Sequence, residues 1–344
     1  MILKVGNKKI ERFNSVDVVL KYDSVASTFA FSFYFDPSNP DIAALAKPGG
    51  YPDAVIEHNG EVLITGTILP HTYQDGAVKS LTSVGGYSKP GVLEDCEIPV
   101  SLYPLQSDGK TFTQIAQRLI KPFGLTMVVD ADVAARANAV YQVATAEATG
   151  TVKAYLASLA AQKNMILSHS ATGQLLCTKA KAKGKSVASF ESGQPNTEIT
   201  MSFDGQSMHS EITVMKQAAI DGGNAGQSTV VNPFVTGFRP TVKIQTSGTD
   251  NDTQLAAKNM LAAELKGIKV TIVLSGTESW LLNGLVLRPN ILVDVTAPQV
   301  YLPRKTQFFV EQVALSEDAS GQRAVLTCVL PEVHNGETPK NIFA

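Results

Sequence analysis

The chain has 344 residues, which at ~150 per domain gives a prior of about two domains, or three or four small ones. Hydrophobic residues make up 44% and charged residues 17%, enough apolar mass for a sizeable core, so general disorder is excluded. With 29 Lys and Arg against 31 Asp and Glu, the formal net charge of −2 gives no overall attraction to nucleic acid or to an anionic membrane.

Three cysteines, Cys96, Cys177 and Cys328, are far apart, and without a C-x-x-C pair they form neither a zinc knuckle nor a redox motif. An odd, sparse count is not a secreted disulfide framework, so buried thiols in a reducing compartment are expected. The N-terminal Met1-Ile2-Leu3-Lys4-Val5-Gly6 lacks the apolar core of a signal peptide, and no run of ~18 apolar residues occurs. Folding in a cytoplasm, with no membrane insertion, is the expectation.

In chain order, the first ~90 residues read as β-structure. Val16, Val18 and Leu20 alternate with Asp17, Val19 and Lys21, and Phe29, Phe31, Phe33 and Phe35 alternate with smaller or polar residues. Asn59-Gly60 predicts a two-residue hairpin, because both central positions of the favoured turn need positive φ. A long strand from Leu63 to Tyr73 contains Gly66, a bend or bulge site. Asp75-Gly76 then turns the chain back into Val78 to Val84.

Two helix-then-strand units follow, offset by 40 residues. The first has Thr111 or Asp108 as cap, an apolar stripe of Phe112, Ile115, Ala116, Leu119 and Ile120, and a stop at Gly124 before the strand 125–129. The second has Thr151, then Val152, Tyr155, Leu156, Leu159 and Ala160, with Asn164 in the place of Gly124 before Met165-Ile166-Leu167. After Lys185 strands resume at 198–203 and 210–215. The stretch from Ala218 to Thr236 has no period and reads as a mobile loop, and a third helix is predicted from about Asp252 to Lys266, ending at Gly267. Strands at 268–274, 292–295 and 307–315 lead to a turn at Ser320-Gly321 and a last strand from Arg323 to Leu330.

Chemistry-bearing motifs are sparse. His58, His71, His169, His209 and His334 form no local metal pair and no H-E-x-x-H, and each reads as structural or solvated, His58 as an exposed residue near a hairpin tip. His209 and Ser210 would point to opposite faces of a strand, which excludes a dyad. Gly184-Lys185-Ser186 is not a phosphate loop, because Lys179 stands where the first glycine belongs. Gly85-Gly86 lacks the setting of a dinucleotide fingerprint, and Asp130-Ala131-Asp132 lacks the remaining calcium-loop positions. No catalytic, cofactor-binding or metal-ligating residue is therefore assigned. Lys179, Lys181, Lys183 and Lys185, alternating, would share one face of a strand, either to hold phosphates or an acidic protein, or to protect a strand edge. The second use is favoured, since no aromatics are interleaved for base stacking.

The C-terminal third carries Trp280, then Gly284-Leu285-Val286-Leu287-Arg288-Pro289-Asn290-Ile291-Leu292-Val293-Asp294-Val295, then Phe308 to Asp318 and Gly321 to Pro331. This block resembles the baseplate hub protein of Mu-like contractile-tailed phages, related to the T4 hub ring. The order of elements extends the resemblance over most of the chain. It departs from the pattern in a short segment between Trp280 and Gly284, and in Leu287 where an aromatic is expected.

The strand and helix pattern points to an α+β, mainly β fold, and the resemblance implies the same: two tube-like β-barrel or sandwich modules, a small α/β module with the helix–strand repeats, and an inserted α/β segment. The expected bounds are 1–98 and 186–217 plus 300–333 for the two β modules, 99–185 for the α/β module and 218–299 for the insertion. It also implies a homotrimer that joins tail tube to central spike in a virion baseplate, with itself, the spike and tube or other baseplate proteins as partners. No cofactor, specific nucleic acid or enzymatic activity is implied. A tail-associated cell-wall or glycan hydrolase and a receptor- or carbohydrate-binding β protein are the competing readings. Trp280, the single tryptophan, argues against the latter, because packing is its more common role.

Overall fold

The computed structural model describes residues 1–343 except 37, 41–42, 44–46, 77–80, 148, 217–225 and 246–252. The fold is α+β, mainly β. It divides into two compact units: residues 1–179 with 275–289 and 312–324, and residues 180–274 with 290–311 and 325–344.

The first unit begins with β1 (Ile2–Val5), β2 (Lys8–Ile10), β3 (Ser15–Lys21), β4 (Thr28–Tyr34), β5 (Asp53–His58), β6 (Glu61–Gln74) and β7 (Leu81–Ser88). They form an antiparallel sheet in the order β3-β4-β7-β6-β5-β1-β2. The alternation is realised: Val16, Val18, Leu20, Phe29, Phe31 and Phe33 are buried, while Phe35 lies beyond the end of β4 and is half-buried. Burying each such side chain stabilises by roughly 1.5–3 kcal/mol, which fixes the register, since a one-residue slip would turn this whole set to solvent. Asn59 (φ 51°) and Gly60 (φ 79°) make the predicted hairpin turn. The irregularity expected at Gly66 falls just beyond it, as a register shift between Ile68 and His71. The segment 78–80, expected to begin the last strand, lies outside the described residues.

The α/β module completes this stretch. Helices α1 (Phe112–Ile120) and α2 (Val152–Gln162) accompany β8 (Met127–Val129), β9 (Ile166–His169) and β10 (Leu175–Thr178). Thr111 accepts from the Gln114 N–H at 3.2 Å while Gln114 accepts from the Thr111 N–H at 3.0 Å, a reciprocal capping box. Thr151 accepts from the Ala154 N–H in the same way. Gly124 (φ 67°) and Asn164 (φ 49°) take the left-handed conformation in equivalent places. β10 lies between the other two strands, parallel to β8 and antiparallel to β9, so the two units send their strands in opposite directions. The helices bury Phe112, Ile115, Leu119, Val152, Leu156 and Leu159 in one core with Leu167, Leu175 and Cys177.

The second unit contains β11 (Ala188–Glu191), β12 (Thr197–Phe203), β13 (Glu211–Lys216), β14 (Gln227–Val231), β15 (Pro240–Gln245), α3 (Thr253–Leu265) and β16 (Ile268–Ser275). After β16 the chain gives the first unit a small hairpin, β17 (Leu281–Leu282) and β18 (Leu285–Val286), before β19 (Ile291–Ala297), β20 (Leu302–Asp318) and β21 (Gly321–Val329). Residues 312–317 of β20 pair with β3 in the first unit. Residues 302–310 pair with β19 in the second, where β19 also pairs in parallel with β11. β16 pairs along its length with β12.

Thus 218–299, expected as an inserted segment, supplies β16 and β19 to the same sheet as β12 and β20. In β16, Ile268, Val270 and Ile272 are buried while Lys269 is exposed, and in β19 Val293, Val295 and Ala297 are buried, so each strand turns one face to the core. A separate sheet, β14-β13-β15, packs against α3. Here β14 replaces part of the loop expected over 218–236, and residues 218–225 lie outside the described ones.

Candidate functional site

The C-terminal block that carries the resemblance begins at a clasp in the first unit. Trp280 is fully buried, and its indole N–H donates to the Arg323 carbonyl at 2.9 Å. The chain then reverses through Asn283 (φ 53°) and Gly284 (φ 79°), a two-residue turn between β17 and β18. The shortness of the segment between Trp280 and Gly284 is the tightness of this hairpin. The Leu287 N–H returns to the Trp280 carbonyl at 2.9 Å, and Leu287 is buried, so the position expected to be aromatic needs only an apolar side chain of sufficient size.

The hairpin is locked to the β5–β6 turn. Arg288 donates to the Val62 carbonyl at 2.8 Å and to Glu61 at 3.3 Å, and the His58 ring meets the Trp280 ring edge-on at 4.9 Å. His58 is therefore not the exposed hairpin-tip residue expected from sequence, because the clasp brings Trp280 onto it. Burial lowers the His58 pKa, as does the N-terminal ammonium, against the nearby Glu317 and Glu61 carboxylates.

The other histidines also make structural contacts. His71 Nδ1 lies 3.1 Å from the Leu69 carbonyl, and His169 Nδ1 lies 3.1 Å from that of Ser24, its pKa lowered by burial. His209 meets Glu264 twice, through Nδ1 at 2.7 Å and through its backbone N–H at 2.9 Å. His334 Nε2 lies 2.7 Å from Glu311 Oε1, and Lys266 Nζ lies 3.1 Å from the same oxygen. Burial opposes ionisation of Glu311, but these two partners outweigh it and hold the carboxyl below its ordinary range. Cys177 and Cys328 are buried, which pushes both thiols upward, Cys177 to about 12. Among the described residues, no group of three or more His, Cys, Asp or Glu is placed to hold a metal, and no helix is long and apolar enough to cross a membrane.

The lysine run is not on a strand. Residues 179–187 are irregular, with Lys179 3.6 Å from Asp132 and Lys183 2.7 Å from Glu337. Lys-x-Lys alternation alone does not create a strand when small residues fill the gaps, because no apolar face is present to bury. Neither strand-based expectation, a shared cationic face or edge protection, applies to it.

Sequence reasoning also missed Val231, Val242 and Ile244 on the β14-β13-β15 sheet and Phe238 beside it, all exposed. The Gln227-Ser228-Thr229-Val230-Val231 run, β-prone in composition, was the available signal.

Residues 91–179, the α/β module with its lead-in, match the family described as "Baseplate hub protein gp44-like, second domain". The chain resembles phage baseplate hub proteins. No curated protein matches it. Two solved structures share the fold from end to end. The 43 kDa tail protein of prophage MuSo2 from Shewanella oneidensis has a TM-score of 0.81 at 22% identity, covering 97% of this chain and 98% of its own. A tail protein from Neisseria meningitidis MC58 has a TM-score of 0.80 at 19% identity, covering 98% of each chain. More distantly, the E. coli c3393 protein, a type VI secretion component described as similar to T4 tail proteins gp27 and gp5, has a TM-score of 0.58 at 8% identity. That likeness covers 99% of this chain and 80% of the other. At these identities the likeness is one of fold.

Proposed function

We propose that this hub-like chain is a structural subunit of a contractile-tail baseplate. In this reading three copies form a ring in which two β modules per chain produce pseudo-sixfold symmetry, joining the tail tube to the central spike. The observation that carries it is the end-to-end likeness to two tail proteins, together with the hub-type α/β module at 91–179. The expected bounds of the two β modules, 1–98 and 186–217 plus 300–333, remain part of the proposal, with β16 and β19 added to the second.

The role is structural rather than catalytic. Four of the histidines, His58, His169, His209 and His334, the ionisable groups with most catalytic versatility at neutral pH, are engaged in contacts that tie elements together. The partners are further copies of the chain, the spike, and tube or adjacent baseplate proteins, in a virion assembled in the host cytoplasm.

Light scattering on the purified chain across a micromolar concentration series tests the assembly. A mass near three times the 36.6 kDa of the chain is expected. A monomer that persists throughout the series overturns the reading.

A further inference from the structure

Lys183 of the lysine run lies at the edge of a concave surface. Within the second unit, Lys183 borders a cleft of about 520 Å³ together with Arg304 and Lys305 of β20, Glu332, Glu337 and Lys340. Three separate stretches of chain thus deliver four cationic side chains to one concavity, against two carboxylates.

Two of the cations are paired: Lys183 with Glu337 at 2.7 Å and Lys305 with Asp294 at 2.8 Å. Arg304 and Lys340 have no ion pair among the described residues. Both members of the Lys183–Glu337 pair are more than half exposed, so it holds weakly and can exchange partners.

The rest of the lining selects among anions. None of the described residues in it is aromatic, so it offers no platform for stacked bases. Glu332 and Glu337 repel phosphates and carboxylates alike, but a polypeptide also brings backbone N–H donors that these two carboxylates can accept. Leu330, Pro331 and Ile342 add apolar wall for its side chains. The Glu332 carboxyl is half-buried, with its pKa raised by that burial and by Glu337, and gains from such a donor.

We propose that this cleft is a docking site for an acidic polypeptide segment of a partner protein, whose carboxylates pair with Arg304, Lys340 and Lys183. Arg304 offers a planar fork suited to a carboxylate, and Lys340 and Lys183 act as point charges that fix the direction of the segment. The inference concerns one chain and does not depend on the ring.

The test is fluorescence anisotropy of a labelled octaglutamate peptide with the full-length chain at low salt, repeated with R304E/K340E and with K269E, an exposed lysine on β16. The expected result is salt-sensitive binding that R304E/K340E weakens by about tenfold or more and K269E leaves within about twofold. Circular dichroism establishes that both variants are folded. The same assay with a labelled oligothymidylate of equal length separates the ligand classes. The proposal is overturned by absence of octaglutamate binding, by equal binding to R304E/K340E, or by tighter binding of the oligothymidylate.

Discussion

The indole N–H of Trp280 hydrogen-bonds the Arg323 carbonyl at 2.9 Å, while the His58 ring closes on the same indole from the other side of the sequence. One side chain thus ties the C-terminal block to the N-terminal β5–β6 hairpin. Trp280→Phe should cost about 1–3 kcal/mol, because the Arg323 carbonyl loses its partner in a buried place, and Trp280→Ala about 3–5 kcal/mol. Denaturant unfolding followed by circular dichroism measures both. His58→Ala keeps the single tryptophan and should shift its emission to the red; unchanged emission would show that the ring contact does not shield it.

Gly86 is required by close approach rather than by backbone conformation. A Cβ there would lie 2.0 Å from the Thr67 carbonyl oxygen and 2.5 Å from the Phe29 ring. Gly86→Ala should therefore separate β6 from β7 and cost several kcal/mol, more than ordinary overpacking, because backbone and a buried ring must both move. Gly124→Ala meets open space, and its cost should be limited to the ~1 kcal/mol of placing alanine at φ 67°. Equal losses in thermal unfolding of the two variants would contradict this.

The capping box predicts that Thr111→Ala destabilises the α/β module by roughly 0.5–2 kcal/mol, whereas Thr111→Ser restores most of it. Hydrogen exchange of the α1 amides is the sensitive measurement, because local opening at the first turn precedes global unfolding.

His169, together with His58, and Glu311 contribute to the acid limb of stability. His169 has a folded pKa below its ordinary 6.5, so the unfolded chain takes up the proton first; stability declines as pH falls through 6.5 and levels off below the folded value. Glu311 has a folded pKa below its ordinary 4.5, so its contribution is complete above 4.5 and is lost as pH falls through the folded value. Unfolding temperatures from pH 8 to 3 should show both declines. His169→Gln should make the upper one shallower, and Glu311→Gln the lower one while also lowering stability at neutral pH. A flat profile across this range would be inconsistent with both assignments.

What was legible in the sequence was what short-range physics determines. Helices 112–120 and 152–162 carry their caps, stripes and left-handed terminators within a dozen residues, and the Phe29-Phe31-Phe33 alternation states its own buried face. Asn59-Gly60 likewise contains its whole turn. What depended on distant chain was not legible. His58 lies among polar neighbours, and only the arrival of Trp280, 222 positions later, turns it into a packing residue. β14 follows a glycine-rich stretch that hides its start, and the apolar β16 and β19 do not reveal which sheet they join. The lysine run is ambiguous for the same reason: its carboxylate partners are Asp132 and Glu337, and the rest of the cleft beside Lys183 comes from residues 304–342.

The central claim is that paired β modules from three chains close a collar. Negative-stain class averages of the purified chain test it most directly. The account predicts closed particles with threefold symmetry and six similar lobes around an axis; single compact particles, or rings with another subunit number, would contradict it.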